Sequence, residues 1–416
     1  MYLGQSKCGP KESWFTVLME GLAKFPPRPT GAGEMFQLFR DGEPRTRASL
    51  VAETGQSRST VAARIDALCG VGLLTPAGEA SSTGGRPPST FAFDPRSRIV
   101  VGVDLGATHA RIAVTDLAAV PVSVLDEPLS IADGPQHVLG WVADTAAKLV
   151  AQAGRHLTDL AGIGIGLPGP VDHTTGRPVN PPIMPGWDGT DVPAALHARL
   201  GAPVLVDNDV NVMSLGEHRT ICPEVDDLLF VKVATGIGAG VIMDGHLRRG
   251  AQGAAGDLGH VTVPGAEDIP CRCGNTGCLE AVAGGLAIVQ RLRDLGADVH
   301  GTPDIVDLVR SGDVAAGQAV RQAGRDIGAV LAASVSLLNP ARIVVGGVLA
   351  GAGEHLMAGI REIVYQRSLP LATQHLRIVP SGAGAQAGVI GAATLVTEQY
   401  LSPHNVDTLV SAQEDS

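Results

Sequence analysis

The chain has 416 residues, 44% of them apolar and only 3% aromatic, with 54 glycines and a formal net charge of −11. That length calls for two or three domains, and a glycine-rich core of Ala, Val, Leu and Ile favours α/β architecture with many tight strand-to-helix turns. The acidic balance excludes a chain-wide nucleic-acid surface and confines any DNA contact to a local patch.

Three of the six cysteines cluster and the others, Cys8, Cys69 and Cys222, are scattered, which excludes a disulfide framework. No secretory segment opens the chain. The longest apolar stretch, near 327–338, is too short to span a bilayer. The expectation is a soluble, cytoplasmic protein with no membrane partner.

Residues 1–30, with Pro26, Pro27 and Pro29 ahead of Gly31 and Gly33, read as a disordered lead-in. Residues 34–70 carry three short helical patterns. Met35, Leu38 and Phe39 mark the first. Thr46 caps the second, which ends at Gly55, and Ser57 caps the third, where Val61, Ile65 and Leu68 recur at helical spacing. Two helices joined by a short glycine-containing turn make a helix-turn-helix pattern. Ser57, Arg58, Ser59, Thr60 and Arg64 then lie at the N-terminus or on the free face of the third helix. These residue types at these positions reach phosphates and base edges in a major groove. Residues 71–93 read as a β-wing: Leu73 and Leu74, a tip S-T-G-G-R-P-P, then Thr90 to Phe93. Arg86, on that stiff tip, suits a minor groove. The segment is close to charge-balanced, and a small protein-binding helical domain would show the same pattern.

From residue 99 the pattern changes. A buried strand, Val100 to Val103, ends in D-L-G-A-T, and a second strand follows. A glycine turn with a hydroxyl beside an aspartate can cradle phosphate: Gly106 and Thr108 supply donors, and Asp104 can hold magnesium through water. An ordinary β-hairpin also needs glycine. A helix at 136–157 and a strand at 161–167 lead into G-L-P-G-P-V-D. Gly164 to Gly169 satisfy G-x-G-x-x-G, yet Pro170 follows and no helix begins, which excludes the dinucleotide fingerprint. The loop from Asn180 to Trp187 either borders a cleft or simply packs.

At 203–219 a strand ends and a helix begins at Asn208 and Asp209, the end of a strand where open α/β sheets place ligands. Asn208 can hydrogen-bond a sugar hydroxyl, and Asp209 can take a proton from a hydroxyl attacking a γ-phosphate; plain helix capping is the competing role. Residues 228–243 repeat the strand, glycine loop, strand pattern with Thr235, Gly236 and Gly238. Two such loops imply two similar halves. No G-x-x-x-x-G-K-[ST] occurs, so P-loop chemistry is excluded.

The stretch from Gly256 to Glu280 reads G-D-L-G-H, a connector, then C-R-C-G-N-T-G-C-L-E. His260, Cys271, Cys273 and Cys278 make a Cys3His set, the make-up of a closed, tetrahedral, structural zinc site. Gly274 and Gly277 let the chain turn so that Cys273 and Cys278 face one ion. The alternative is three buried thiols and an unrelated histidine. Beyond it lie a long helix at 313–338, a strand ending at Gly346 and Gly347, helices near 353–367 and 385–400, and a polar tail from Ser402 that reads as disordered.

The zinc stretch resembles the ROK family (repressors, open reading frames and kinases of sugars), where G-E-x-G-H precedes C-x-C-G-x2-G-C-L-E. The second part matches in full; the first has Asp257 in place of Glu. The pattern T-R-A-S-L…T-G-Q-S-R-S-T-V…S-T-G-G-R-P-P is similar to the N-terminal winged helix of ROK repressors, and the likeness runs from about Met35 to Tyr400. It implies a winged helix-turn-helix over 31–97, then a two-lobed, actin-like and ribonuclease-H-like α/β sugar-kinase fold. Its first lobe is 98–215, joined by helix 385–400. Its second, 216–384, carries the zinc, and 401–416 is a disordered tail.

The same likeness implies a sugar site of Pro168, Gly169, Asn208, Asp209, Asp257, His260 and Glu280, with His260 serving both metal and sugar. It also implies nucleotide contacts from Asp104, Gly106, Thr108, Thr235, Gly236 and Gly238, and from Gly346 and Gly347 against adenosine. Structural Zn2+, and ATP with Mg2+, are the implied cofactors. Two functions compete. One is a dimeric or tetrameric transcriptional regulator, a repressor that binds a double-stranded DNA operator and responds to a sugar or sugar phosphate. The other is an ATP-dependent hexose kinase with Asp209 as its general base. The shortened carboxylate at Asp257 weighs against the kinase, because buried polar sites tolerate little displacement.

Overall fold

The computed structural model describes residues 31–79 and 88–414. They form two compact units: residues up to Asp94 together with those from Leu401 onward, and Pro95–Tyr400. The lead-in 1–30 and Arg86 lie outside the described residues.

In the smaller unit, three helices, Ala32–Gln37, Arg47–Thr54 and Arg58–Gly70, surround a core of Met35, Phe36, Phe39, Leu50, Val61, Ile65 and Leu68. Both capping expectations hold. Thr46 Oγ1 accepts the Ser49 N–H at 3.0 Å, and Ser49 Oγ accepts the Thr46 N–H in return. Ser57 Oγ accepts the Thr60 N–H at 3.1 Å. Gly55, at φ +69°, ends the second helix in the left-handed region that favours glycine. Strands Leu74–Glu79 and Ser89–Phe93 pair antiparallel, and Arg45–Thr46 adds a short third strand.

The tail from Ser402 is a correction. Residues Pro403–Glu414 form a helix packed on Ala32–Gln37. Asp407 Oδ1 accepts the Gly33 N–H at 2.7 Å, Gln37 Nε2 donates to the Leu401 carbonyl at 2.8 Å, and Leu401 and Val406 are buried. The polar composition misled because only one narrow face is apolar, and that suffices against a small core.

The larger unit holds two five-stranded sheets of the same design. In the first, Val204–Asn208, Leu160–Leu167 and Ile99–Leu105 run parallel, and His109–Asp116 and Pro121–Pro128 follow antiparallel. In the second, Arg377–Pro380, Arg342–Gly346 and Leu228–Val233 run parallel, and Ile237–Met243 and His246–Arg248 follow antiparallel. The repeated glycine loops therefore do mark two similar halves.

Each sheet has its own apolar core, and a third cluster of Val210, Met213, Phe230, Ile242 and Val344 packs helix Asp209–Ile221, which follows the last strand of the first sheet, onto the second sheet. Helix Asp209–Ile221 supplies that junction, so a lobe boundary at 215/216 falls inside it. Buried Glu217 fastens the junction: it accepts Ser381 Oγ at 2.6 Å and the Gly382 and Ala383 N–H groups at 2.7 and 3.0 Å. Helix Ala387–Tyr400 begins just beyond. It meets helix Asp209–Ile221 so closely that a Cβ on Gly391 would lie 1.6 Å from the Val212 carbonyl oxygen. Backbone cannot yield there cheaply. Gly391→Val should cost about 3 kcal/mol or more, read as a lowered Tm; an unchanged melting curve would contradict the close packing.

Candidate functional site

The junction of strand Val204–Asn208 and helix Asp209–Ile221 is the centre of the site. Asn208 caps the helix, its Oδ1 accepting the Val210 N–H at 2.9 Å, and its Nδ2 donates to the Gly169 carbonyl at 3.0 Å. It thus pins the loop of Pro168 and Gly169 beside Asp209. The cap occupies the amide oxygen and the Gly169 bond one amide N–H, which leaves a second N–H for a ligand. Asp207, beneath it, accepts Asn211 Nδ2 at 2.7 Å and Arg249 Nε at 2.6 Å. Arg249 leads into the loop that carries Asp257 and His260.

That loop is fitted to the second sheet through glycine. A Cβ on Gly256 would meet the Ala239 carbonyl at 2.0 Å, and one on Gly259 the Ile237 carbonyl at 2.3 Å. Gly256 also sits at φ +93°. Asp257 precedes the short turn Leu258–His260 and is exposed.

The four expected metal ligands converge. One ligand atom from each of His260, Cys271, Cys273 and Cys278 lies within 4.8 Å of the others. Cys271 Sγ stands 3.7 Å from His260 Nδ1, and Cys273 Sγ 3.6 Å from Cys278 Sγ. Bonds of about 2.3 Å to one tetrahedral ion would set sulfur atoms about 3.8 Å apart, so the donors fit a metal. The alternative of unrelated groups fails, since His260 is within the cluster and Cys273 is exposed. The Asn275 backbone N–H holds the Cys273 thiol down to about 7, while burial pushes Cys278 up to about 12.

Cys278 immediately precedes helix Leu279–Ala283, and Glu280 in its first turn reaches the second glycine loop. Glu280 Oε2 accepts the Ile237 N–H at 3.2 Å and lies against Gly236, where a Cβ would meet it at 2.2 Å. The metal cluster is thereby two residues removed from a side chain that shapes the Thr235–Gly238 loop. Gly346 and Gly347 end strand Arg342–Gly346 against the next strand; Gly347, at φ +84°, would bring a Cβ within 2.5 Å of the Val233 carbonyl.

On the first sheet, Asp104 is buried and Thr108 exposed. His109 covers Gly106 and puts Nε2 3.9 Å from Asp104 Oδ2. Trp187 is packing: it is fully buried and donates Nε1–H to the Ile131 carbonyl at 3.0 Å.

Sequence reasoning missed Lys232. Its ammonium forms an ion pair with Asp209, and both are largely buried, with side chains 17% and 6% exposed. Burial pushes the Asp209 carboxyl above its usual range against the pull of Lys232. Burial disfavours the ammonium too, but the Asp209 and Asp104 carboxylates overcome it and hold Lys232 charged. The signal was available: L-L-F-V-K-V places one cation in an otherwise buried strand, and a buried charge needs a partner.

The ROK family model matches residues 100–399. The chain belongs to the ROK family. Its relatives include the xylose repressor of Caldicellulosiruptor bescii, 28% identical over 86% of this chain and 92% of the repressor. The glucokinase of Halalkalibacterium halodurans is 31% identical, over 73% of this chain and 96% of the kinase. Among solved structures, a ROK family transcriptional regulator, a homologue of the E. coli Mlc protein, superposes with a TM-score of 0.78 at 25% identity. It covers 92% of this chain and 98% of its own. A kinase is used up almost whole while more than a quarter of this ROK chain stays unmatched; the two regulators reach further along it. No helix among the described residues is long and apolar enough to cross a membrane.

In the smaller unit, Ser57, Arg58 and Ser59 are exposed at the start of helix Arg58–Gly70, and Thr60 is half-buried. Arg64 donates Nη1–H to Gln56 Oε1 at 2.5 Å, which orients its guanidinium toward that same helix end.

Proposed function

We propose that this ROK chain is a sugar-responsive transcriptional regulator of carbohydrate-metabolism genes, a repressor that releases its operator when sugar fills the cleft. The observation that carries the reading is the smaller unit itself, with a capped, exposed helix start that presents Arg58. A catalytic sugar kinase needs no such unit, and the repressor relatives extend over more of the chain than the glucokinase does. The smaller unit is read as a winged helix-turn-helix, with helix Arg58–Gly70 in the major groove and Arg86 in the minor groove. In a homodimer or homotetramer, paired half-sites would lie about 34 Å apart or a multiple of it.

Sugar hydroxyls are assigned to Pro168, Gly169, Asn208, Asp209, Asp257, His260 and Glu280. His260 Nδ1 faces Cys271, which leaves Nε2 for the sugar. The ion in the Cys3His cluster is zinc, structural because protein fills all four positions. Thiolates, not thiols, bind it, so protons compete. Zinc affinity should therefore rise with pH as Cys273 and Cys278 release their protons. Chelator competition at two pH values checks this; equal affinity would contradict it.

The glucokinase relative favours a second reading, phosphoryl transfer to a hexose with Asp209 as base. Pairing with Lys232 weighs against it. In a sensor, Asp209→Asn should lower sugar affinity by roughly 1.5–3 kcal/mol, the value of a charge-assisted hydrogen bond. In a kinase it should cut turnover by about two to four orders of magnitude with less effect on affinity. Selection of genomic DNA fragments by the full chain, followed by challenge with a sugar panel and a parallel ATP-consumption assay, tests the reading. Sugar-sensitive capture of discrete fragments supports it; ATP turnover without fragment selection overturns it.

A further inference from the structure

Lys232 does more than neutralise one carboxylate. On strand Leu228–Val233 its cross-strand neighbours are Gly238 on one side and Gly346 on the other. Both belong to glycine loops expected to hold nucleotide. Neither neighbour has a side chain of its own, and the space above them is taken by Val210 and the Phe230 ring, where a Cβ on Gly238 or Gly346 would meet them at 3.0 and 2.5 Å. Its ammonium leaves the second lobe and reaches Asp209 at the start of the junction helix. Asp104, at the end of a first-lobe strand, is close enough for its charge to act on both members of the pair. Helix Ala387–Tyr400 bounds Asp104 on one side, where a Cβ on Gly388 would meet its Oδ2 at 2.2 Å.

A phosphoryl-transfer site needs carboxylates free to take a divalent cation, directly or through water, and a carboxylate free to take a proton. Here Asp209 is paired with a covalently tethered cation, and the charge of Asp104 acts on the same ammonium. Magnesium and ATP, the kinase cofactors, do not fit this floor as it stands. A dication would have to displace a buried ammonium and leave it unpaired near a second positive charge.

We propose that Lys232 is a built-in counter-ion that takes the place of the divalent cation, excluding Mg2+·ATP and confining the cleft to nucleotide-free ligand sensing. The proposal rests on the reading of this cleft as a sensor site, and it identifies the residue that separates that site from a kinase. Lys232 is therefore a specificity-determining residue. It holds Asp209 in an ion pair, as an acceptor for a sugar hydroxyl.

The test uses the full chain with Mn2+, alone and with ATP, followed by calorimetry and by the Mn2+ electron paramagnetic resonance spectrum. Wild type should show no Mn2+·ATP binding below millimolar concentration. Lys232→Thr should bind it at least tenfold more tightly, with Mn2+ immobilised in the spectrum, and Lys232→Arg should exclude it again. A purely structural lysine would not move the Mn2+ signal. Should Lys232→Thr fail to fold, the wild type still decides: micromolar Mn2+·ATP binding overturns the proposal. So does a folded Lys232→Thr that binds no better than wild type. Sugar-driven operator release is read in a separate arm. A wild type that excludes Mn2+·ATP but ignores every sugar upholds the counter-ion and fails the sensor reading; one that binds Mn2+·ATP tightly yet releases operator overturns the counter-ion alone.

Discussion

Cys278→Ser is expected to strip the metal from the chain, unfold the 256–280 loop and abolish the response to sugar. Cys278 is fully buried and stands 3.6 Å from Cys273 Sγ, so serine cannot complete the tetrahedron. A structural zinc site contributes on the order of 10 kcal/mol or more to local folding. The loop is otherwise short of regular structure, held by scattered backbone bonds such as Val263 N–H to the Gly277 carbonyl at 2.8 Å and by buried Val263, Ala266 and Leu279. Its backbone has two isolated bridges, Thr262 with Cys278 and Pro270 with Thr276, and turns at Gly274 and Gly277 with φ of +91° and +72°. Loss propagates because Cys278 leads directly into the helix of Glu280, which fixes the Ile237 N–H. Metal content, hydrogen exchange over 256–280 and sugar calorimetry read the three effects. Cys222→Ser, a buried thiol outside the cluster, is the control and should keep its metal. A Cys278→Ser protein with full zinc content would contradict the assignment.

Arg58→Ala combined with Arg64→Ala and Arg86→Ala should abolish operator recognition while sugar affinity stays unchanged. Arg58 follows the Ser57 cap and is exposed, and Arg64, one and a half turns on, is steered by Gln56. Each contact to a base or phosphate is worth about 1–3 kcal/mol. Three together should therefore cost more than a hundredfold in affinity. Arg58→Ala alone should weaken binding and, if the contact is to phosphate, reduce the salt slope by about one. An unaltered footprint in the triple variant would refute the winged-helix assignment.

The sequence made the chemistry of the site legible where one local pattern demands one geometry. Cys271, Cys273 and Cys278 with intervening glycines have few arrangements other than around an ion. Asn208 and Asp209 announce a helix start, and the structure places Asn208 as the cap and Asp209 in the first turn. The two glycine loops announced paired halves, and the two sheets share one strand order.

What escaped was long-range. Lys232 and Asp209 are 23 residues apart and belong to different elements, so no spacing rule joins them. Arg249 and Asp207, 42 apart, are similarly hidden. The helix Pro403–Glu414 looked like a polar tail because its partner, Ala32–Gln37, lies at the other end of the chain. Strand Pro121–Pro128 escaped because an edge strand keeps Val122 and Val124 exposed and lacks a buried run.

In the proposed regulator, sugar alone, without nucleotide, controls DNA binding. Fluorescence anisotropy of a labelled operator, bound by the metal-loaded full chain, tests it most directly when sugar is titrated in the absence of ATP. Operator affinity should fall at least tenfold at saturating sugar, about 1.4 kcal/mol of coupling. Operator affinity indifferent to every sugar that the protein binds would contradict it.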